Sequence, residues 1–490
     1  MKYIIGIDEG TTSARAVLFN IETNKIEKLS RGKFTQFFPN EGWVEHNAEE
    51  IYNVVFKALK EVSAGLNKMD IYSIGITNQR ETVVAFSKAT GKPLAKAICW
   101  QDRRTADFCK KLKESKFAKA IKEKTGLMPD SYFSASKMKW LLDNNQDVKK
   151  ALKNNDLLFG TIESYLVYRL TNGAKHITDV TNASRTQLMN INSLTWDSDL
   201  LKLFGIPQST LPTIVDNSGN FGLAKIGKLV IPICGLCGDQ QSSLFGQGCH
   251  YAGGLKNTYG TGSFLLLNTG SKPVYSQDLL STIAYKINNK ICYALEGSVY
   301  DCGTAVDWAV KDLGLYSSPQ ELDKMAGSLG DNCGVYFVPA FSGLGCPNWD
   351  MDAFGMICGL TRATVKPQIA RAVLEGIAYQ VYDVVTVLEN VTHKKIKTIR
   401  ADGGVTNNNF LMQFQADLLN ANIKLSNSES TVLGAIFLAG LASGAYNSLE
   451  EIETKVETLK EFSPQESNKQ VIKKALAGWR DAIKKCTYHN

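Results

Sequence analysis

The sequence predicts an α/β protein of two large domains, each a mixed sheet flanked by helices, with the second a diverged duplicate of the first. Three observations carry that prediction. A chain of 490 residues is too long for one hydrophobic core and suits two domains of similar size. Its opening reads as three strands, a helix, and then further strand and helix alternation, the order of a mixed sheet with helices on its faces. A comparable series of strands and glycine turns returns after residue 230.

Taken in order, residues 2–8 and 16–20 alternate as a hairpin around the turn "DEGTTSAR", and residues 33–38 read as a third strand. Asn47, with Glu50 three residues on, predicts a capping box for a helix whose apolar stripe is Ile51, Val54, Val55, Ala58 and Val62. Strands are expected again at 71–76 and 82–86. In the second half, "IPICGLCGDQQSSLFG", "NTYGTGSFLLLNTG" and "YALEGSVY" repeat the pattern, and the domains are set at 1–247 and 248–490. Residues 432–442 are too short an apolar run for a bilayer and read as a buried helix. Ile472, Ala475, Leu476, Trp479, Ala482 and Ile483 form the stripe of a docked terminal helix.

With 44% hydrophobic and 21% charged residues the composition is that of an ordinary globular protein, and no membrane insertion is expected. The net charge of +7 is spread among interspersed acids and bases, which argues against nucleic acid as a partner. Met1-Lys2 leads straight into strand-like sequence with no secretory pattern, and eleven cysteines follow no disulfide rhythm. Reduced thiols and a cytoplasmic location are therefore expected. Cys234 and Cys237 form a single Cys-x-x-Cys without a second pair at zinc spacing, so they read as small buried residues beside a strand.

The chain lacks G-x-x-x-x-G-K-[ST], a G-x-G-x-x-G between strand and helix, and paired H-R-D and D-F-G motifs. Three other glycine turns offer backbone N–H groups to phosphate: "DEGTTSAR" (8–15), "YGTGSF" (259–264) and "DGGVTNNNF" (402–410). Each alone is an ordinary turn; three in one chain suggest a polyphosphate site. A carboxylate such as Asp8 beside a phosphate cradle makes sense with Mg²⁺ between them. Asp239, in "CGDQQSS", suits either a base for an attacking hydroxyl or the N-cap of the next helix, and local sequence leaves both open.

Together these turns resemble the superfold of actin, hexokinase and the heat-shock chaperone ATPases. More narrowly, the chain resembles the FGGY carbohydrate kinases. "YFSASKMKWLLDN" (132–144), with Lys137 and Trp140 in place, is similar to that family's first signature, and "GMICGLTRATVKPQIARAVLE" (355–375) to its second. "GWVEHN", "IGITNQRET", "TDVTNASRTQLMNI", "GDQQSSLFGQ", "KNTYGTGSFLLLNTG" and "PAFSGLGCPNWD" follow, in order, the branch that phosphorylates glycerol. The resemblance implies two duplicated ribonuclease H-like (actin-like ATPase) domains with a cleft between them. It also implies ATP-dependent conversion of glycerol to sn-glycerol 3-phosphate with release of ADP, the first step of glycerol catabolism, with Mg²⁺ and in a homodimer or homotetramer.

Carried over by residue, the resemblance implies that Arg80, Glu81, Tyr132 and Gln240 bind the glycerol hydroxyls, Trp100 and Phe264 cover its carbon chain, and Asp239 is the catalytic base. Thr11, Thr12, Ser13, Arg15 and Thr261 match phosphate-loop positions; Gly303, Asp307, Gly404 and Asn408 match the nucleotide pocket; Asp8 matches the metal side. Asp307 and Glu9 stand where many relatives carry Gln, and both would bring extra acid near phosphate. Segment 222–232 lacks the Gly-rich, Arg-containing insertion that many bacterial relatives use for fructose 1,6-bisphosphate. Two other readings remain: a kinase of the same family for a pentulose or sugar acid, and a catalytically silent nucleotide-dependent scaffold.

Overall fold

The computed structural model of the chain describes residues 2–350, 352–427 and 429–488. The first large sheet contains β1 (Tyr3–Glu9), β2 (Ser13–Asn20), β3 (Lys25–Lys33), β4 (Ile71–Asn78), β5 (Leu223–Ile226) and β6 (Leu229–Gly238), in the order β5-β6-β4-β1-β2-β3. The second contains β7 (Leu255–Tyr259), β8 (Ser263–Gly270), β9 (Leu280–Ile287), β10 (Lys290–Val299), β11 (Thr398–Asp402), β12 (Asn422–Ser426) and β13 (Thr458–Phe462), in the order β9-β10-β8-β7-β11-β12-β13.

The duplication is visible in strand directions. Along β3-β2-β1-β4-β6 the pairings run antiparallel, antiparallel, parallel, parallel, and β10-β8-β7-β11-β12 repeats that series. Three expectations are corrected. The third strand is residues 25–33, not 33–38: "KIEKLSRGK" is a mostly exposed edge strand, so it shows no apolar alternation, while only Gln36–Phe37 of the expected segment is extended. Residues 231–238 do not open the second copy. They belong to β6, parallel to β4 in the first sheet, and the second sheet begins at Leu255. The strand expected at 82–86 is Val84–Ser87, paired with Leu157–Gly160 outside both large sheets, so Glu81 and Thr82 lie in a loop.

Helix α1 (Ala48–Val62) buries Ile51, Val55, Ala58 and Val62 of the expected face, with Leu59 in place of the partly buried Val54, and Asn47 caps it by accepting from Glu49 N–H at 3.1 Å. The capping box is only half formed, because the Glu50 carboxylate instead accepts from Thr35 N–H and Oγ1, both at 3.1 Å. In the second half, α3 (Lys366–Thr392) and the terminal α5 (Lys469–Cys486) share one core, with Tyr379 stacked on Trp479.

Two short-range crossings position the site. Helix α2 (Asp239–Gly246) leaves the end of β6, and α4 (Ser430–Ser443), which follows β12, lies across β4 and β6 of the first sheet and against α2. The approach is backbone to backbone: a Cβ on Gly434 would stand 1.9 Å from the Ser242 carbonyl oxygen, so only glycine fits. Helix α2 is thereby held at the junction of the two halves. No helix among the described residues is long and apolar enough to cross a membrane.

Candidate active site

Residues 79–81 continue from β4 into the junction, and Glu81 takes a φ of +61°, which non-glycine residues seldom adopt. Its conformation is fixed from two sides: Arg185 Nε lies 2.6 Å from Glu81 Oε1, and Ser134 Oγ donates to the Glu81 carbonyl at 3.0 Å. The stem of Arg80 lies over Gly238, where a Cβ would come within 2.8 Å of Arg80 Cγ. Arg80 grips Glu296 with both terminal nitrogens, at 2.6 and 3.1 Å, and its Nη1 also donates to Gln241 Oε1 at 3.1 Å. Its Nε lies 3.3 Å from Asp239 Oδ1 and 3.8 Å from Glu81 Oε1.

The second sheet supplies the opposite wall. Antiparallel register of β7, β8 and β10 puts Lys256, Thr258, Phe264, Glu296 and Ser298 on one face, because directly paired residues point the same way. Lys256, fully buried, donates to Gln240 Oε1 and, at 3.0 Å, to Thr258 Oγ1. That bond orients the Gln240 amide with its NH₂ away from the lysine, available to a ligand oxygen.

Electrostatics sort the titrating groups. Burial pushes the Asp239 carboxyl up, and with Glu81 nearby it reaches about 6 despite the pull of Arg80. Burial also acts on Glu296, but Arg185 and Arg80 outweigh it and hold that carboxyl down at about 2. The Lys256 ammonium is brought down to about 8 by burial, against the attraction of Asp402 and Asp239. Asp239 is thus the half-open carboxylate of the cluster, its side chain 31% exposed where those of Arg80, Glu81, Arg185 and Glu296 are 2% or less. It begins α2 without capping it, since Gly238 is the N-cap.

Aromatic side chains close the same region. The Trp100 and Tyr132 rings meet edge to face at 5.6 Å, and the Tyr132 ring lies 5.6 Å from the Arg185 guanidinium. Lys137, buried on its helix, donates to the Tyr132 and Phe133 carbonyls and so fixes that loop. Trp100 Nε1–H donates to Thr11 Oγ1 at 3.0 Å, which ties the first glycine turn to this wall.

In that first turn Asp8 is paired: Arg15 places Nε and Nη2 at 2.9 and 2.8 Å from its Oδ2 and Nη1 at 2.6 Å from Glu429. Thr12 is exposed, and Ser13 closes the turn by accepting from Gly10 N–H at 2.9 Å. Glu9 is fully buried and points away from the turn; Gln79 donates to both of its oxygens, while burial pushes its carboxyl well above the usual range.

The other two turns meet elsewhere. Strand β7 runs past Lys256 and Thr258 into the turn Gly260–Gly262, which borders a cavity of about 450 Å³ also lined by Thr261, Gly303, Asp307, Gly404 and Asn408. Three glycines, Gly260, Gly303 and Gly404, share its lining with side chains that include Val306, Pro319, Gln320 and Asp323. Cys302 N–H donates to the Thr261 carbonyl and Gly303 N–H to the Gly260 carbonyl, both at 2.9 Å. A Cβ on Gly403, at φ +97°, would lie 2.3 Å from the Tyr259 carbonyl oxygen. Asn408 caps the following helix by accepting from Leu411 N–H at 2.8 Å, and Asp307, more than half exposed, pairs with Lys311 at 2.9 Å.

The structure therefore brings Arg80, Glu81, Trp100, Tyr132, Asp239 and Gln240 into one connected network, with Phe264 on the facing sheet, and gathers Thr261, Gly303, Asp307, Gly404 and Asn408 around one cavity. Asp8, Thr11, Thr12, Ser13 and Arg15 form a separate turn on the first sheet. Sequence reasoning missed Arg185, Glu296 and Lys256. The available signal was a charge inside a strand of otherwise apolar or small residues, as in "YALEGSVY", where an unpaired carboxylate could not be tolerated.

Comparison with known proteins agrees along the whole chain. Residues 3–246 match the N-terminal domain, and residues 255–443 the C-terminal domain, of the FGGY family of carbohydrate kinases. The chain is 48% identical to a glycerol kinase of Fusobacterium nucleatum, over 99% of each chain. It is 47% identical to glycerol kinase 2 of Thermotoga maritima, over 99% of this chain and 98% of that one. The crystal structure of Plasmodium falciparum glycerol kinase with ADP superposes with a TM-score of 0.94 at 38% identity, covering 100% of this chain and 99% of that one.

Proposed function

Because the chain belongs to the FGGY family of carbohydrate kinases, we propose that it transfers the γ-phosphoryl group of ATP to a terminal hydroxyl of glycerol, giving sn-glycerol 3-phosphate and ADP. One observation carries the reading at the level of chemistry: β7 joins the Asp239 cluster directly to the cavity beside Thr261, with only Tyr259 and Gly260 between Thr258 and Thr261. An acceptor hydroxyl at Asp239 and a nucleotide in that cavity then share one strand.

Asp239, ionised at neutral pH, takes the proton of the terminal hydroxyl as its oxygen attacks the γ-phosphorus, and the bond to the ADP oxygen breaks. Arg80 and Gln240 supply donors and Glu81 an acceptor to the polyol oxygens, while Trp100, Tyr132 and Phe264 suit its C–H faces. Main-chain N–H groups of the turns near Thr11, Thr261 and Gly404 face phosphate oxygens, with Thr12, Ser13 and Arg15 on the first turn and Gly303, Asp307 and Asn408 about the nucleotide.

The donors fit Mg²⁺ bound mainly through water and phosphate. Both Arg15 contacts to Asp8 fall on Oδ2, so one carboxylate oxygen is left for a water-bridged ion. No group of three or more His, Cys, Asp or Glu side chains that could cage a metal occurs among the described residues. When bound, Mg²⁺ neutralises charge on the β and γ phosphates. Eleven free cysteines support a reducing, cytoplasmic setting.

The test is ADP release from Mg-ATP with glycerol, dihydroxyacetone, xylulose, ribulose and gluconate compared side by side. The reading predicts the highest kcat/KM with glycerol and little ATP hydrolysis without an acceptor; preference for a pentulose or gluconate overturns it.

A further inference from the structure

Resting on that reading, we infer that Arg185 and Glu296 are positioning residues for polyol recognition, holding Arg80 and Glu81 from behind, with Glu296 contributed by the opposite half of the molecule. Four buried charges alternate in a closed ring. Arg80 contacts Glu296 at 2.6 and 3.1 Å, Glu296 contacts Arg185 at 2.9 Å, Arg185 contacts Glu81 at 2.6 Å, and Glu81 lies 3.8 Å from Arg80. The ring is neutral, which is the condition for burying so many charges together.

Its members have different access to a ligand. Glu81 and Arg80 border the half-open Asp239, whereas Arg185 and Glu296 are 0% exposed and reach the site only through the other two. Arg185 shows the cost of that placement: its Nη1 makes no hydrogen bond, although it is buried, while its other nitrogens hold the two carboxylates. The geometry of the guanidinium fork, not full satisfaction of its donors, decides where it sits.

Glu81 needs such an anchor. Its backbone is left-handed at φ +61°, and without Arg185 only Ser134 and the more distant Arg80 contact hold the residue. Arg80 and Glu81 follow β4, and Arg185 ends the short helix Val180–Ser184; all three lie in the first half of the chain. Glu296 lies on β10 of the second sheet. Placement of the hydroxyl-binding arginine thus depends on the second sheet standing against the first, which couples polyol grip to the relation of the two halves.

The experiment measures KM and kcat for the best acceptor of the wild-type panel, Kd for ADP and Tm, in wild type, Glu296→Gln, Arg185→Lys and the double variant Arg185→Met/Glu296→Gln. Glu296→Gln is expected to raise acceptor KM by about 30-fold and Arg185→Lys by about 10-fold, with ADP Kd within about threefold of wild type. The double variant returns the buried cluster to charge balance, so its Tm should recover toward wild type while acceptor KM stays high. If the pair is merely structural, KM recovers with Tm, and that result overturns the inference. So does a wild-type KM in Arg185→Lys, the variant that decides the matter if Glu296→Gln does not fold. Failure of the glycerol reading appears in the wild-type panel alone, and failure of this inference in the variants.

Discussion

At one end of β7 the candidate site is made of paired charged side chains; at the other, glycine turns and a mixed set of side chains border a cavity. Around Asp239, Arg80 and Glu81 are held by Arg185 and Glu296, residues more than 100 positions away in sequence. Around the cavity, Gly260, Gly303 and Gly403 let three stretches of backbone touch, with hydrogen bonds between neighbouring turns. In the proposed reading the first arrangement takes a small polar molecule by direction and charge, and the second, with three glycines in its lining, leaves room for a polyphosphate. Perturbations at the two ends should therefore separate acceptor effects from nucleotide effects.

The largest separation is expected from Asp239→Asn, which keeps shape and removes the proton acceptor. It should lower kcat by about 10² to 10⁴ while ADP binding, measured by calorimetry, stays near wild type. Near-normal turnover would remove Asp239 from the base role. Glu81→Ala comes next: it deletes the proposed polyol acceptor and leaves Arg185 short of a partner. Its kcat/KM for glycerol should fall by about 100-fold with little change at the nucleotide, as expected when a charged hydrogen bond of about 1.5–3 kcal/mol is lost.

From the other end, Gly403→Ala places a methyl against the Tyr259 carbonyl in a backbone conformation that alanine avoids. It should raise ADP Kd by about tenfold, or 1.4 kcal/mol, leaving glycerol KM nearly unmoved; an equal effect on both would erase the proposed division. The smallest change is expected from Asp307→Asn. Because its side chain is 56% exposed and paired with Lys311, removing the charge should shift ADP Kd by no more than about threefold.

The same contrast explains what could be read from the chain itself. Glycine turns are local, so "DEGTTSAR", "YGTGSF" and "DGGVTNNNF" were visible as three units, and the last two indeed border one cavity. The charged end was legible only where its residues adjoin, as Arg80-Glu81 and Asp239-Gln240. Glu296 stands out only as a lone charge in an apolar strand and Arg185 not at all, since only the pairing of a strand in one sheet with a loop beyond the other makes them partners. Long-range pairing also misled the fold reading at β6. Its apolar run and glycines look like a new beginning, yet parallel pairing to β4 completes the first sheet. The polar edge strand β3 carries no alternating pattern because none of it is buried and most of it is exposed. Glu9 reads as acid at the phosphate turn, but alternation along β1 turns it inward to Gln79.

The measurement that bears most directly on Asp239 as the base at this junction is the pH dependence of kcat/KM for glycerol in wild type and Asp239→Asn side by side. The partly exposed carboxyl, raised to about 6, must be ionised to accept a proton, so wild-type kcat/KM should fall along an acid limb centred near pH 6. The residual activity of the variant should lack that limb. An identical limb in both proteins, or a wild-type limb near the ordinary carboxylate value of about 4, would contradict the account.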